Sequence, residues 1–132
     1  MTDFPAASRA PRLGVPRHVF HHYIADALTT GTVKWRWVVP FSCKILDVIC
    51  DSNTAGSGGT SDIVDVNVNG TTIYTTQANR PTLLSGDTGM FTEAGEPELP
   101  SLVAGDILTF DVDQVASTGS AVFSIAIIVG PA

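Results

Sequence analysis

The run Asp65-Val-Asn67-Val-Asn69-Gly70 is the part of this sequence that most resembles a metal-binding motif. It matches the first half of a calcium-binding loop, in which alternate side-chain oxygens converge on one cation. The twelfth position of such a loop carries a bidentate glutamate, but here that position is Thr76. The valines between the polar residues are typical of a strand. We interpret the run as the solvent face of a hairpin and leave open whether Asp65, Asn67 and Asn69 bind a cation.

Other polar residues also have the types that chemistry needs. His18 and His22 share one face of a predicted strand, but they are too far apart along it to hold one ion, so we expect this aromatic-rich strand at a subunit contact. Asp111 and Asp113 share a face, as paired carboxylates in glycosidases do, but strand alternation favours a solvated sheet face. No catalytic residue, cofactor or metal site is predicted, and we expect a protein that is not an enzyme.

Two tryptophans lie in the alternating segment 32–39, where Trp35 and Trp37 share a face with Val33 and Val39. Paired indoles on a sheet can stack against a sugar ring, but the continuing apolar row favours burial in the core or in an interface. Met90 and Phe91, in the loop-like segment 86–98, are the alternative candidates for contact with a glycan.

The two cysteines, Cys43 and Cys50, fall in one predicted strand. An odd spacing of seven positions predicts opposite faces, about 23 Å apart along a straight strand. A disulfide needs Cα atoms within about 7 Å of each other. We therefore expect two buried free thiols.

All of these residues must be positioned by β-strands. Alternation of apolar and polar residues, interrupted by turn residues, predicts strands at 18–26, 32–39, 43–51, 62–69, 71–76, 82–85, 107–114 and 120–129. Asn69-Gly70 predicts a type I′ hairpin, because both central positions of that turn need positive φ. The predicted fold is all-β: an antiparallel, jelly-roll-like β-sandwich of about seven or eight strands over residues 18–132. The longest apolar run, residues 121–130, is too short to span a membrane.

Residues 1–17 show neither strand nor helix periodicity and contain three prolines, which predicts an extended N-terminal arm. The net charge of −6 is unevenly distributed: six basic and two acidic residues precede position 45, and one basic and eleven acidic residues follow. An acidic body makes nucleic-acid binding unexpected. The basic arm is expected either to lie on another copy or acidic surface, or to fold back on its own body. Its predicted contact residues are Phe4, Arg9, Arg12, Leu13 and Arg17.

Two segments carry a resemblance to a known family. IVDVNVNGTTIYTTQANRPTL and LPSLVAGDILTFDVDQVASTGSA, with KWRWVVPFSCKILDV before them, resemble a recurrent β-sandwich domain of structural proteins from tailed bacteriophages. The similarity covers about residues 32–129 and its motifs are not catalytic. It implies a capsid decoration (cement) protein, a head fibre or a module of a tail protein.

The resemblance, together with the arm, leads us to expect a non-enzymatic capsid decoration protein. Its expected partners are the major capsid protein and itself, as a homotrimer, with neither nucleic acid nor membrane. Its expected location is the capsid surface of the virion, after synthesis in the host cytoplasm. The alternative is a carbohydrate- or receptor-binding module of a tail or head fibre, which would contact a host-surface glycan through Trp35, Trp37, Met90 or Phe91.

Overall fold

The computed structural model describes residues 17–132, in which the regular structure is β-strand apart from one short 3₁₀ helix, Gln77–Asn79. The strands are β1 (His18–Ile24), β2 (Gly31–Val38), β3 (Cys43–Thr54), β4 (Asp62–Val68), β5 (Thr71–Thr72), β6 (Thr82–Leu83), β7 (Gly89–Met90), β8 (Ser101–Leu102), β9 (Ile107–Gln114) and β10 (Ala121–Pro131). The loop-like segment 86–98 therefore contains one two-residue strand, β7, and the short strand predicted at 82–85 is present as β6.

The strands form two antiparallel sheets. One has the order β1-β10-β3-β7, with β8 also paired to β3, and the other has the order β2-β9-β4-β5, with β6 also paired to β4. Strands β1 to β4 alternate between the sheets, and strands from the two ends of the chain lie side by side, β1 with β10 and β2 with β9. This is the arrangement of a jelly roll. The predicted all-β, jelly-roll-like sandwich is confirmed.

The hairpin between β4 and β5 follows the sequence prediction. Asn69 and Gly70 have φ of 51° and 84°, the two positive values that a type I′ turn requires. The return strand is shorter than predicted: β5 ends at Thr72, Ile73 makes one more backbone hydrogen bond to Val66 at 3.0 Å, and Ile73 and Tyr74 are fully buried. The Tyr74 hydroxyl donates a hydrogen bond of 2.7 Å to the Glu93 carboxylate.

The two cysteines are free and buried as predicted, but the prediction of opposite faces is wrong. The register on β10 passes from Ile45 opposite Val129 to Asp47 opposite Ile128, so that Leu46 has no partner. This bulge adds one residue to β3 and returns both Cys43 and Cys50 to the core side, where each is 1% exposed. Burial raises the pKa of both thiols, which keeps them protonated.

Aromatic rings connect the two sheets through the core. Phe110 on β9 lies 5.9 Å from Phe123 on β10, 6.1 Å from Trp37 and 6.0 Å from His22, measured between ring centroids. Phe123 in turn packs edge-to-face against Phe91 at 5.6 Å. Phe110 is therefore the ring that joins one side of the sandwich to the other.

The two sides of the sandwich are closed differently. At the side of β6 and β7, backbone hydrogen bonds of 2.9 and 2.8 Å between Thr82 and Thr92 join the two sheets. At the opposite side, β1 pairs only with β10 and β2 only with β9 within residues 17–132, so side chains alone close the gap. We call these the closed side (the outer edge of β3 with β6, β7 and residues 93–100) and the open side (β1 and β2).

Candidate interaction surface

The open side is lined by aromatic and histidine side chains from both sheets. The His22 and Trp35 rings stack at 4.5 Å with an interplanar angle of 12°, and Phe20 lies 6.0 Å from Trp37. His18 packs edge-on against Phe20 at 4.7 Å. The prediction that His18 and His22 share a face agrees with these contacts. Burial, followed by the nearby charge of His21, lowers the pKa of His22, which favours a neutral ring against Trp35.

The two tryptophans have different surroundings. Trp37 is partly buried against the core, whereas Trp35 is 49% exposed. Their strand departs from the predicted alternation at Val33, which has a φ of 51°, is 52% exposed and donates its backbone N–H to Asp111 at 2.8 Å. The sequence could not indicate this bulge, because it depends on a carboxylate from the neighbouring strand β9. It turns the Val33 side chain out to solvent, whereas Trp35 is half exposed because β2 lies at the edge of its sheet.

Met90 and Phe91 lie on the closed side, across the molecule from Trp35 and Trp37. Met90 is 65% exposed beside a groove of about 440 Å³ that Thr82 and Thr92 also line. Phe91 is 7% exposed and belongs to the core. The structure therefore does not bring the four predicted contact residues into one surface.

The predicted arm contacts Phe4, Arg9, Arg12 and Leu13 lie outside the described residues. Arg17 is exposed directly before β1. Residues 1–16 are thus joined to the chain at one end of the open side.

The candidate calcium-loop residues do not converge. The Asn69 side chain donates to the Asp106 carboxylate at 3.0 Å and accepts from the Ile107 backbone N–H at 2.9 Å, so it holds the turn before β9. Asp65 instead lies opposite Asp111 on the neighbouring strand, while Asn67 donates to Asp111 at 2.9 Å. The sequence motif therefore belongs to a cross-strand network rather than to a loop, and its interpretation as a solvent face is wrong, because Asp65 and Asn67 are only 6% and 7% exposed.

Three carboxylates meet in that network. Within residues 17–132, Asp65, Asp111 and Asp113 are the one set of acidic, histidine or cysteine side chains whose ligand atoms all lie within 4.8 Å of one another. Burial raises the pKa of Asp65, and the charge of Asp113 adds to this, while hydrogen bonds from Thr72 and the Val66 backbone oppose it.

Each carboxylate of this network already has a partner. Arg80 pairs with Asp113 at 2.6 Å, Thr72 donates to Asp65 at 2.6 Å, and Asp111 accepts from Val33 and Asn67. The network joins β4, β9 and residues 72–80. We assign it a structural role.

A second surface feature lies on the closed side, where β7 and β8 pair with the two ends of β3 and leave a gap between them. Asp47, Glu93 and Glu96 line this groove of about 340 Å³ together with Leu46 and Pro97. Burial and the like charges of Asp47 and Glu96 raise the pKa of Glu93, against the opposing hydrogen bond from Tyr74. Sequence reasoning missed this acidic groove, because its residues are far apart along the chain.

Comparisons of the chain with models of protein families, with curated proteins and with solved structures found no match. The described residues contain no helix with the length and apolar character that a membrane crossing requires. The candidate surfaces must therefore be interpreted from their own geometry.

Proposed function

We propose that this protein is a non-enzymatic structural protein of a bacteriophage virion, a capsid decoration protein that binds the outer shell and stabilises it. The observation that carries the proposal is the open side. There, two strand edges that have no partner strand among residues 17–132, six exposed large hydrophobic side chains on or next to β1 and β2, and the attachment point of residues 1–16 occur together. Those side chains are Val19, Tyr23, Val33, Trp35, Val38 and Phe41.

Such an edge favours an assembly role for physical reasons. An exposed strand edge presents unpaired N–H and C=O groups that pair readily with another chain, and soluble proteins usually protect it with charges, prolines or a covering segment. Strands β1 and β2 are seven and eight residues long, and their exposed faces include Tyr23 and Trp35. Clustered exposed apolar side chains mark protein contact sites more often than isolated ones do.

In this proposal the contribution of the protein is mechanical. Residues 1–17 cross to neighbouring subunits or to the major capsid protein, and the sandwich bodies, expected as homotrimers, add buried area at subunit junctions. Many such contacts raise the force that the shell withstands. The resemblance of residues 32–129 to phage structural proteins supports this choice, and the jelly roll is compatible with it, since that fold occurs in both capsid and lectin domains.

Deletion of residues 2–17 tests the arm. We expect the deletion to lower occupancy on shells that lack the protein by about tenfold or more, equivalent to about 1.4 kcal/mol or more of binding free energy. Replacing the same residues with a Gly/Ser segment of equal length is the matched control, because it keeps the reach but removes Phe4, Arg9, Arg12 and Leu13. Both variants are expected to bind weakly. Wild-type occupancy for the deletion would contradict the arm's role.

The exposed Trp35 ring also favours a second candidate function, a carbohydrate-binding module of a tail or head fibre. The indole is half exposed and held flat against His22, and rings held in this way stack on sugars. We expect host-surface polysaccharide to change tryptophan fluorescence if this function operates, and Trp35→Ala to abolish the change while Phe41→Ala preserves it. No change in the wild-type protein would count against this function.

A further inference from the structure

The exposed apolar side chains of this molecule divide between its two sides. Six of the eleven large ones lie on the open side, as described above. Four of the other five belong to the closed side: Leu46 lines the acidic groove, Leu84 and Met90 line the neighbouring groove, and Leu99 lies in the segment 93–100. The molecule therefore has two separate surfaces on which burial against a partner would be favourable.

The charges of the two sides are opposite. The open side, with Arg17 and the β1–β2 connection, carries three basic residues and one acidic residue, namely Arg17, Lys34, Arg36 and Asp26. The closed side carries six acidic residues and one basic residue, namely Asp47, Asp51, Asp87, Glu93, Glu96, Glu98 and Lys44. The one ion pair within residues 17–132, between Arg80 and Asp113, involves neither set. Both sets of charges are thus available for contact with another molecule.

The acidic groove favours a cationic partner for electrostatic reasons. Three carboxylates, those of Asp47, Glu93 and Glu96, line it with one ammonium group, that of Lys44, and burial together with the like charges disfavours ionised Glu93. Arg36 is exposed and follows Trp35 on β2, with its side chain on the outer face of the sheet. Tryptophan and arginine are the residue types that most often dominate protein interfaces. Two open sides facing each other would instead bring Arg17, Lys34 and Arg36 against their own copies, which is unfavourable.

We propose that copies of this chain associate head to tail, with the basic, aromatic open side of one copy packed on the acidic closed side of the next. The partner is a second copy because this chain itself carries the complementary charge. A contact between two different surfaces leaves one of each kind free on every pair, so it continues until a ring closes or, if the rotation does not allow closure, as a filament. The head-to-tail contact is the subunit contact that the proposed function requires, and to that extent it rests on the proposed function.

The test uses two variants of the full chain. The edge variant carries Trp35→Ser and Arg36→Glu, and the groove variant carries Asp47→Lys and Glu96→Lys, all at positions with partly or fully exposed side chains. The mass of each protein is measured in solution by light scattering after gel filtration, and far-ultraviolet circular dichroism verifies that each is folded. Thr60→Lys, at an exposed position that belongs to neither set of charges, is the control and should keep the wild-type mass.

We expect an oligomeric wild type, two monomeric variants, and a heterodimer when the variants are mixed in equal amounts. The mixture restores one interface, because the intact groove of the edge variant meets the intact edge of the groove variant. A monomeric edge variant beside a fully oligomeric groove variant would show edge-to-edge pairing and overturn the inference. A monomeric wild type, or wild-type mass in both variants, would also overturn it.

The measurement uses no shells, so its outcome is separate from that of the shell-binding test. A monomeric wild-type protein overturns the head-to-tail contact and leaves the occupancy of the arm deletion as an independent result. Conversely, wild-type occupancy for the arm deletion does not affect the formation of the heterodimer.

Discussion

Replacing Phe110 with alanine is expected to lower the free energy of unfolding by about 3–5 kcal/mol. Phe110 is fully buried and contacts rings on both sheets, Phe123 on one and Trp37 on the other, and it also lies beside His22. Truncation removes these contacts and leaves a cavity. The cavity cannot collapse, because a rigid sheet lies on each side of it. Total stabilities of domains are about 5–15 kcal/mol, so this loss is a large fraction of the whole.

Urea denaturation followed by tryptophan fluorescence measures the effect of Phe110→Ala. Phe41→Ala is the matched control, because Phe41 is 37% exposed at the rim of the open side, and we expect it to cost less than about 1 kcal/mol. Phe110→Leu keeps most of the side-chain volume and replaces the alanine variant in this test if that variant does not fold. We expect it to lower the free energy of unfolding by about 1–1.5 kcal/mol. Equal stabilities for Phe110→Ala and Phe41→Ala would contradict the central role of this ring.

Replacing Asp62 with alanine is expected to lower the free energy of unfolding by about 3–5 kcal/mol, although no side chain of opposite charge pairs with it among residues 17–132. Asp62 is 2% exposed, and its two carboxylate oxygens accept hydrogen bonds of 2.8 Å from the backbone N–H groups of Ala116 and Ser120. The Ser120 hydroxyl continues the link to Ser52 on β3, in the other sheet. The alanine variant leaves two buried N–H groups without an acceptor and releases the β9–β10 connection.

Hydrogen exchange gives this prediction a local readout. The amides of Ala116 and Ser120 are expected to exchange much faster in Asp62→Ala, in addition to the lower stability on urea denaturation. Asp62→Asn keeps one acceptor oxygen but turns an NH₂ group toward a second N–H donor, so its stability should fall between wild type and alanine. Asp87→Ala, at an exposed acid, is the control and should change little. Unchanged exchange at both amides would show that Asp62 does not hold these two N–H groups.

The elements of the fold were predictable because their signals are local. Alternation of apolar and polar residues over 62–68 and 107–114 marks strands β4 and β9 without reference to the rest of the chain. Asn69-Gly70 specifies its turn because the requirement for positive φ falls on those two residues. The return strand was predicted too long, since the burial of Tyr74 against Glu93 depends on a segment nineteen residues further along the chain.

The candidate surfaces were predictable only in part. The aromatic character of β1 indicated a contact surface, but the exposure of Trp35 follows from the position of β2 at the edge of its sheet, which the strand order decides. The acidic groove combines Asp47 with Glu93 and Glu96, which only the gap between β7 and β8 brings together. No periodicity connects such residues, because their proximity depends on which strands lie at the edges.

The sequence by itself therefore determined that this chain is a β-sandwich with two free thiols, a type I′ hairpin and an uneven distribution of charge. These follow from periodicity, turn chemistry and composition, which act over a few residues or over the whole chain at once. Only the tertiary structure decided the inward position of both cysteines, the network around Asp65, and the opposite charge of the open and closed sides. Register shifts and strand order produce these features, and both arise from pairing between residues that are distant in the sequence.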